Sequence, residues 1–110
     1  MKHYIIIKWN KEVTDKALIA GKVRELYSSA VDIHGVEHVT IKENITPRDN
    51  RFDLMIVIDM AEDALQNWDE SSLHKQWKSE YSPLIEKKAI FDSTDRSEER
   101  TVEKKNSLFW

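Results

Sequence analysis

The chain has 110 residues, no cysteine and a formal net charge of −3 from 17 basic and 20 acidic side chains. This length predicts one domain, and the lack of cysteine excludes disulfides, thiol nucleophiles, cysteine-ligated zinc and iron–sulfur clusters. The order of the residues shows no basic stripe, so no nucleic-acid partner is expected. The longest apolar run, Leu54 to Ile58, is too short to span a bilayer. With no signal-peptide pattern at the amino terminus, we expect a cytoplasmic protein without a membrane partner.

The first half of the chain has the pattern of a strand, a helix and a second strand. Residues 2–9 alternate between two largely apolar faces, which predicts a buried strand: His3, Ile5, Ile7 and Trp9 on one face, and Tyr4, Ile6 and Lys8 on the other. Thr14 or Asp15 can cap a helix whose apolar residues recur at helical spacing: Ile19, Ala20, Val23, Leu26, Tyr27 and Ala30. Val36 to Asn44 predicts a second strand, and its polar outward side chains indicate the edge of a sheet.

The second half predicts two more strands and two helical segments. Phe52 to Met60 is a third strand with apolar residues on both faces. A short helix follows, and Asp59 and Glu62 have the spacing of a capping box at its start. Ser71 can cap a second helical segment, which Pro83 is expected to kink or restart. Residues 89–92 form the last strand. The apolar residues of the second segment recur at intervals of four: Leu73, Trp77 and Tyr81.

The order β-α-β-β-α-β predicts an α+β, ferredoxin-like sandwich with the first and third strands at the centre of the sheet. Those two strands carry the continuous apolar runs, as central strands do. Helices would cover one face of the sheet. The other face would expose an apolar patch in a monomer: Tyr4, Ile6, Met55 and Val57. Because such patches mark interfaces, we expect a homodimer that packs sheet face on sheet face.

Two histidines are the best candidates for chemistry, because imidazole exchanges protons near neutral pH. His3 opens the first strand and His74 lies in the first turn of a helix, so a helix packed on that strand could bring both rings to one cavity. In the alternative interpretation, His3 is a hydrogen-bonded core residue and His74 only satisfies a helix end. Six apolar and aromatic side chains could line a ligand pocket, although their spacing is also typical of a core: Ile5, Ile7, Trp9, Trp68, Trp77 and Tyr81.

Neither a metal site nor a nucleotide site is predicted. His34 and His38 are four residues apart, but on a connection and an edge strand this spacing does not converge on a metal ion. Two glycines in the whole chain leave no phosphate-binding loop. We therefore expect no metal and no cofactor.

Several segments occur together in a characteristic order: residues 2–9, 43–48 and 52–58, Leu73-His74, and residues 82–85 with 90–92. In this order they resemble the stress-responsive A/B barrel (Dabb) family of the dimeric α+β barrel superfamily. The resemblance implies a homodimer whose sheets face each other. Some members, such as a plant polyketide cyclase, use two histidines and a tyrosine in an apolar pocket, and His3 and His74 stand at those histidine positions. Trp68 stands where the tyrosine would be, which leaves open whether this chain is an enzyme.

The resemblance implies three kinds of function. The first is a homodimer that binds a small apolar or aromatic molecule between sheet and helices, with histidine-mediated proton transfer on a carbonyl compound if it is an enzyme. The alternative is a non-catalytic structural or stress-associated oligomer. The third is a haem-degrading or antibiotic-biosynthesis-type monooxygenase, for which Asn10, Trp68 and His74 are the nearest equivalents, although residues 68 and 74 are too close in sequence for the haem-degrading type.

The carboxyl-terminal residues differ in composition from the rest. We expect residues 1–93 to form the Dabb-like domain and residues 94–110 to form a polar tail with an apolar end. That end is Leu108-Phe109-Trp110. Three large apolar side chains after a polar run predict that the end of the tail docks on the partner subunit or on a neighbouring dimer. The alternative is a disordered or weakly helical tail.

Overall fold

The structure, a computed structural model, describes residues 1–94, which form a four-stranded antiparallel sheet with helices on one face. The strands are β1 (Lys2–Trp9), β2 (Val36–Glu43), β3 (Leu54–Met60) and β4 (Ile85–Ser93), in the order β2-β3-β1-β4. The helices are α1 (Lys16–Tyr27), α2 (Leu65–Glu70) and α3 (Ser72–Tyr81). Short 3-10 turns span Ala30–Asp32, Glu62–Ala64 and Ser82–Leu84. The predicted ferredoxin-like fold is confirmed, whereas the predicted docking of the tail end lies outside the described residues.

The core lies between the helices and the inner face of the two central strands. Across β1 and β3, Ile5 is opposite Ile56 and Ile7 is opposite Leu54, so these side chains share the inner face. The helices cover this face with one buried stripe each: Ile19, Ala20, Val23 and Tyr27 from α1, Trp68 from α2, and Leu73, Trp77 and Tyr81 from α3. β1 and β3, the two central strands, carry the longest apolar runs of the sheet.

Two helix starts follow the sequence and a third does not. The side chain of Asp15 accepts a hydrogen bond from the backbone N–H of Leu18 at 3.0 Å and caps α1. The Ser71 hydroxyl accepts from the backbone N–H of His74 at 3.1 Å and caps α3. The predicted capping box of Asp59 and Glu62 is wrong. Asp59 belongs to β3 and forms an ion pair with Lys2 at 3.1 Å, and the turn at Glu62–Ala64 has no side-chain cap.

Two strand boundaries differ from the predicted ones. β3 begins at Leu54 rather than at Phe52, whose side chain is exposed. β4 begins at Ile85 rather than at residue 89, immediately after the turn that contains Pro83. The first half of β4 is polar, so its pairing with β1 leaves no apolar periodicity in the sequence.

The outer face of the sheet carries the apolar patch that the sequence predicts, with one difference. Tyr4, Ile6 and Met55 are half-buried, and Tyr4 packs against the exposed ring of Phe91 at 6.0 Å between centroids. Val57, expected to be exposed, has only 6% of its surface exposed. It lies between Tyr4 on β1 and Thr40 on β2 in the strand register, and these neighbours cover it. We call Tyr4, Ile6, Met55 and Phe91 the outer patch.

The helices of residues 1–94 include none with the length and apolar character that a membrane crossing requires.

Candidate functional site

A cavity of about 200 Å³ lies between the amino-terminal half of β1, strand β4 and the helices α2 and α3. Helices cover the inner face of β1 but leave that of β4 bare, and Ile90 there is 49% exposed. The cavity is therefore open along this edge of the sheet. Its lining combines apolar, imidazole and charged side chains: His3, Ile5, Trp68, Asp69, His74, Trp77, Lys78, Lys88 and Ile90.

His3 is held at one end of the cavity by the last strand. The register of β1 and β4 places Asp92 opposite His3, and opposite residues in an antiparallel pair point to the same face. His3 is only 6% exposed, and its Nδ1 donates to Oδ1 of Asp92 at 2.5 Å. This contact fixes the ring and directs its second nitrogen, Nε2, away from the carboxylate.

His74 is held at the same end by the start of α3. Because Ser71 caps this helix, His74 falls in the first turn, where its Nδ1 donates to the backbone carbonyl oxygen of Asp69 at 3.0 Å. The imidazole also packs on Trp68 with ring centroids 4.9 Å apart. A carbonyl oxygen can only accept, so Nδ1 carries the proton and the lone pair of the neutral ring lies on Nε2.

The two imidazoles thus share one arrangement. Within residues 1–94 the hydrogen bonds of both rings run through Nδ1, to a carboxylate in one case and to a carbonyl in the other. Nε2 of each ring makes no hydrogen bond in this part of the chain, and both histidines line the cavity. Two imidazoles arranged in this way can take up and donate protons at one bound ligand.

An aromatic cluster forms the wall behind the cavity. Trp68 and Trp77 line the cavity on one side, and Tyr27 of α1 packs on their other side at 5.6 and 5.4 Å between centroids. The Tyr27 hydroxyl is buried, and within the described part of the chain it has no hydrogen-bond partner. This burial raises the pKa of Tyr27. Tyr27 has the same helical spacing as its apolar neighbours, so the sequence predicts only a core residue at this position.

The residues predicted to form a site fall into two groups. Five of them meet at the cavity: His3, Ile5, Trp68, His74 and Trp77. Ile7 is fully buried in the core instead. Trp9 packs against Tyr81 at 6.2 Å, and these two rings border other depressions, of about 410 and 460 Å³, in whose linings no histidine takes part. We therefore place the candidate site at the smaller cavity, where the titratable groups meet.

The set expected for a haem-degrading enzyme is not assembled. Trp68 and His74 are in contact, but Asn10 follows the far end of β1, where its side chain donates to the backbone carbonyl of Pro83 at 2.9 Å. Asn10 is seven positions after His3 along this extended segment, or about 23 Å away. Within residues 1–94 no group of three or more histidine and carboxylate side chains is arranged to hold a metal ion.

Four cavity residues and one partner of a cavity residue were not predicted from the sequence: Asp69, Lys78, Lys88, Ile90 and Asp92. Lys78 had a usable signal, since it lies one helical turn after His74. The register of β4 with β1 brings Lys88, Ile90 and Asp92 to the site. Sequence patterns do not predict this register. Asp69 contributes chiefly its backbone carbonyl, which accepts the hydrogen bond from His74. A backbone group has no signature in the sequence.

No protein-family model matches the sequence, and no curated protein matches it by sequence. Solved structures match its fold. A dimeric protein of unknown function with a ferredoxin-like fold from Bacteroides fragilis is 14% identical with a TM-score of 0.69, over 82% of this chain and 90% of that one. A hydroxynitrile lyase from Passiflora edulis is 14% identical with a TM-score of 0.65, over 82% of this chain and 87% of that one. A Dabb family protein from Mesorhizobium loti is 15% identical with a TM-score of 0.59, over 86% and 95%. The chain thus has a Dabb-like, ferredoxin-like fold.

Proposed function

We propose that this chain is a homodimeric Dabb-like protein that binds a small aromatic carbonyl compound and moves a proton at the carbon next to the carbonyl. The observation that carries this proposal is the pairing of His3 and His74 at one cavity, each anchored through Nδ1 with Nε2 left for a ligand. A pair of imidazoles facing one ligand is suited to general acid–base chemistry.

The size and walls of the cavity support a ligand with one aromatic ring. An apolar cavity of roughly 150 Å³ accepts benzene, so the volume of about 200 Å³ suits a single ring with small substituents. Trp68, Trp77, Ile5 and Ile90 supply the aromatic and aliphatic surface against which such a ring packs.

The partners of Nδ1 suggest different roles for the two rings. His74 faces a neutral carbonyl and in its neutral form offers a lone pair at Nε2, so we assign it the role of general base. His3 donates from Nδ1 to the Asp92 carboxylate, and when the ring is protonated its Nε2–H can donate as well. We therefore assign His3 the role of donor to the substrate oxygen.

The proposed step needs no reactant other than the ligand and the two histidines. Nε2 of His74 takes a proton from the carbon next to the carbonyl, and the electron pair of that C–H bond moves to the carbonyl oxygen as an enolate. The Nε2–H of His3 donates a hydrogen bond to this oxygen and stabilises its charge. Return of a proton from His74 to the carbon restores the ketone.

Two further observations support the wider proposal. The outer patch is apolar and partly exposed in a single chain, and a protein with the same fold is described as dimeric, which together favour a homodimer through the sheet faces. The hydroxynitrile lyase is an enzyme with this fold, which supports chemistry on a small molecule as one use of it.

Hydrogen exchange into acetophenone tests the reaction. We expect the protein to speed the exchange of the acetyl protons for deuterium in D2O, followed by proton NMR. His74→Asn should lower this rate by roughly 100-fold or more, as loss of a general base does. His34→Asn is the matched control, because His34 is exposed and does not line the cavity. It should leave the rate unchanged.

Three outcomes would contradict the proposal. An exchange rate no faster than in buffer would reject the reaction, and a rate retained in both His74→Asn and His3→Asn would reject the site. If His74→Asn instead lowered the free energy of unfolding by about 1–3 kcal/mol and left acetophenone binding unchanged, the histidine would belong to the scaffold. That result would favour the non-catalytic oligomer.

A further inference from the structure

Two lysines border the cavity at the end away from the histidines. Lys88 lies on the inner face of β4 opposite Ile7, whereas Asp92 lies opposite His3. Lys78 is on α3, one turn after His74 and one turn before the end of the helix at Tyr81, which packs on Trp9. Along both elements the lysines are thus displaced from the imidazoles in the same direction, towards the far end of β1.

Neither ammonium group has an ion-pair partner among residues 1–94. Several basic side chains in residues 1–94 form ion pairs, such as Lys2 with Asp59 at 3.1 Å and Lys16 with Asp53 at 2.8 Å. Lys78 and Lys88 form none within this part of the chain. Asp69 is the one carboxylate residue in the lining, so the lining has a formal charge of +1 with neutral imidazoles, against −3 for the whole chain.

The cavity is therefore polarised along its length. One end holds His3 and His74, the middle is the apolar surface of Ile5, Trp77 and Ile90, and the other end holds the two lysines. His74 and Lys78 are four residues apart on α3, an axial rise of about 6 Å. A benzene ring with substituents at opposite positions matches such a spacing.

We infer that the ligand is an aromatic carboxylate whose carboxylate lies opposite the reacting carbonyl on the ring and is bound by Lys78 and Lys88. This inference rests on the proposed function and narrows its substrate class. The carboxylate would take the place that an acidic side chain takes beside Lys2, Lys8 and Lys16. The aromatic ring would lie on Trp77, with the carbonyl at the histidine end.

The test compares two ligands that differ in charge and hardly in shape. Para-acetylbenzoate and para-acetylbenzamide are titrated into the full chain, with binding and acetyl-proton exchange followed by NMR. We expect the carboxylate to bind more tightly than the amide. Lys78→Met and Lys88→Met should each weaken its binding by about threefold to fivefold, the scale of a partly exposed charge pair, and leave the amide unaffected. Added salt should reduce the preference.

Two control variants and a positional isomer test whether Lys78 and Lys88 bind the carboxylate. Lys75→Met on α3 and Lys87→Met on β4 remove a neighbouring positive charge that does not line the cavity, and should preserve the preference for the carboxylate. Ortho-acetylbenzoate places both groups at one end of the ring, and should bind more weakly than the para isomer.

The outcomes separate this inference from the proposed function. Equal binding of carboxylate and amide, with exchange that still depends on His74, would overturn the lysine site and leave the proposed reaction standing. Equal binding of ortho and para isomers, or equal losses in the control and cavity lysine variants, would also overturn it. No binding and no exchange with any of these ligands would reject the proposed function itself, and the inference with it.

Discussion

Among single residues, Tyr27 combines complete burial with an unsatisfied hydroxyl. Its ring contacts Trp68 and Trp77 and contributes to the core, but within residues 1–94 its hydroxyl has no hydrogen-bond partner. A buried polar group without a partner costs about 1–3 kcal/mol. We therefore expect Tyr27→Phe to raise the free energy of unfolding by about 1 kcal/mol, measured by urea denaturation at neutral pH. A loss of stability would mean that the hydroxyl has a partner, such as a bound molecule.

The same residue predicts how stability depends on alkaline pH. Burial raises the pKa of Tyr27 in the folded chain above its ordinary value of 10.0. Below pH 10 the Tyr27 phenol is neutral in both the folded and the unfolded chain, so its full contribution to the free energy of unfolding is present. Above it the unfolded chain loses the proton that the folded chain keeps, and stability falls by up to about 1.4 kcal/mol per pH unit.

Tyr27→Phe should therefore flatten the loss of stability above pH 10. Some loss should remain, because burial, followed by the charges of Glu80 and Glu25, also raises the pKa of Tyr81. Denaturation of both proteins at several alkaline pH values measures the difference. Parallel curves for variant and wild type would contradict the assignment to Tyr27.

At the scale of the elements, the two glycines of the chain predict opposite effects of the same substitution. Gly35 has a φ of +90°, and a Cβ there would lie 2.6 Å from the Cβ of Ala64. Gly35→Ala should therefore lower the free energy of unfolding by about 2 kcal/mol or more, from backbone strain and overlap. Gly21 lies within α1 with open space around it, so Gly21→Ala should raise the free energy by about 0.5–1 kcal/mol.

Thermal or urea unfolding of the two variants provides the measurement, and each serves as the control for the other. A loss of stability in Gly21→Ala would show that α1 packs more closely than described. An unchanged Gly35→Ala would show that the connection before β2 relaxes without cost.

The strands and helices differ in how clearly the sequence indicates them. β1 and β3 were predictable because both faces of each strand are apolar, and the caps of α1 and α3 because Asp15 and Ser71 immediately precede an apolar period. The start of β4 was not predictable, since it pairs through its backbone while residues 86–88 are charged. The register of β1 and β4 brings Asp92 and Lys88 to the cavity, and such long-range pairing leaves no periodic signal.

The candidate site was predictable only in part, because long-range pairing of strands leaves no periodic signal in the sequence. His3 and His74 stand out as titratable groups beside apolar runs, whereas Ile7, Trp9 and Tyr81 share the apolar spacing of true cavity residues. Periodicity identifies the inner face of a strand or helix, but not the point along it where a cavity opens. Trp9 and Tyr81 therefore lie on the predicted face but do not line this cavity.

For the whole molecule, the outer patch predicts self-association. Stable interfaces bury about 1,200–2,000 Å² in total. Ile6 lies in the middle of the patch, opposite Met55 on β3 and Ala89 on β4. In a face-to-face dimer, Ile6→Lys would bring two buried charges close together. We expect this variant to sediment as a folded monomer, while the wild-type chain sediments as a dimer.

Ile45→Lys is the matched control, because Ile45 is 93% exposed in the connection between β2 and β3. It should remain a dimer. A well-folded wild-type monomer at micromolar concentration would contradict the prediction, as would a dimer that survives Ile6→Lys unchanged.

The contact of His3 with Asp92 joins residues 89 positions apart, and this separation affects how a ligand acts on the chain during its synthesis. The ring that opens the first strand is fixed only after the last strand has left the ribosome and paired with it. A molecule that needs this pair cannot bind a nascent chain and gives no help to early folding steps. It binds only the completed sheet and adds stability in proportion to the logarithm of its concentration. In a cell, such a ligand would lengthen the lifetime of finished molecules.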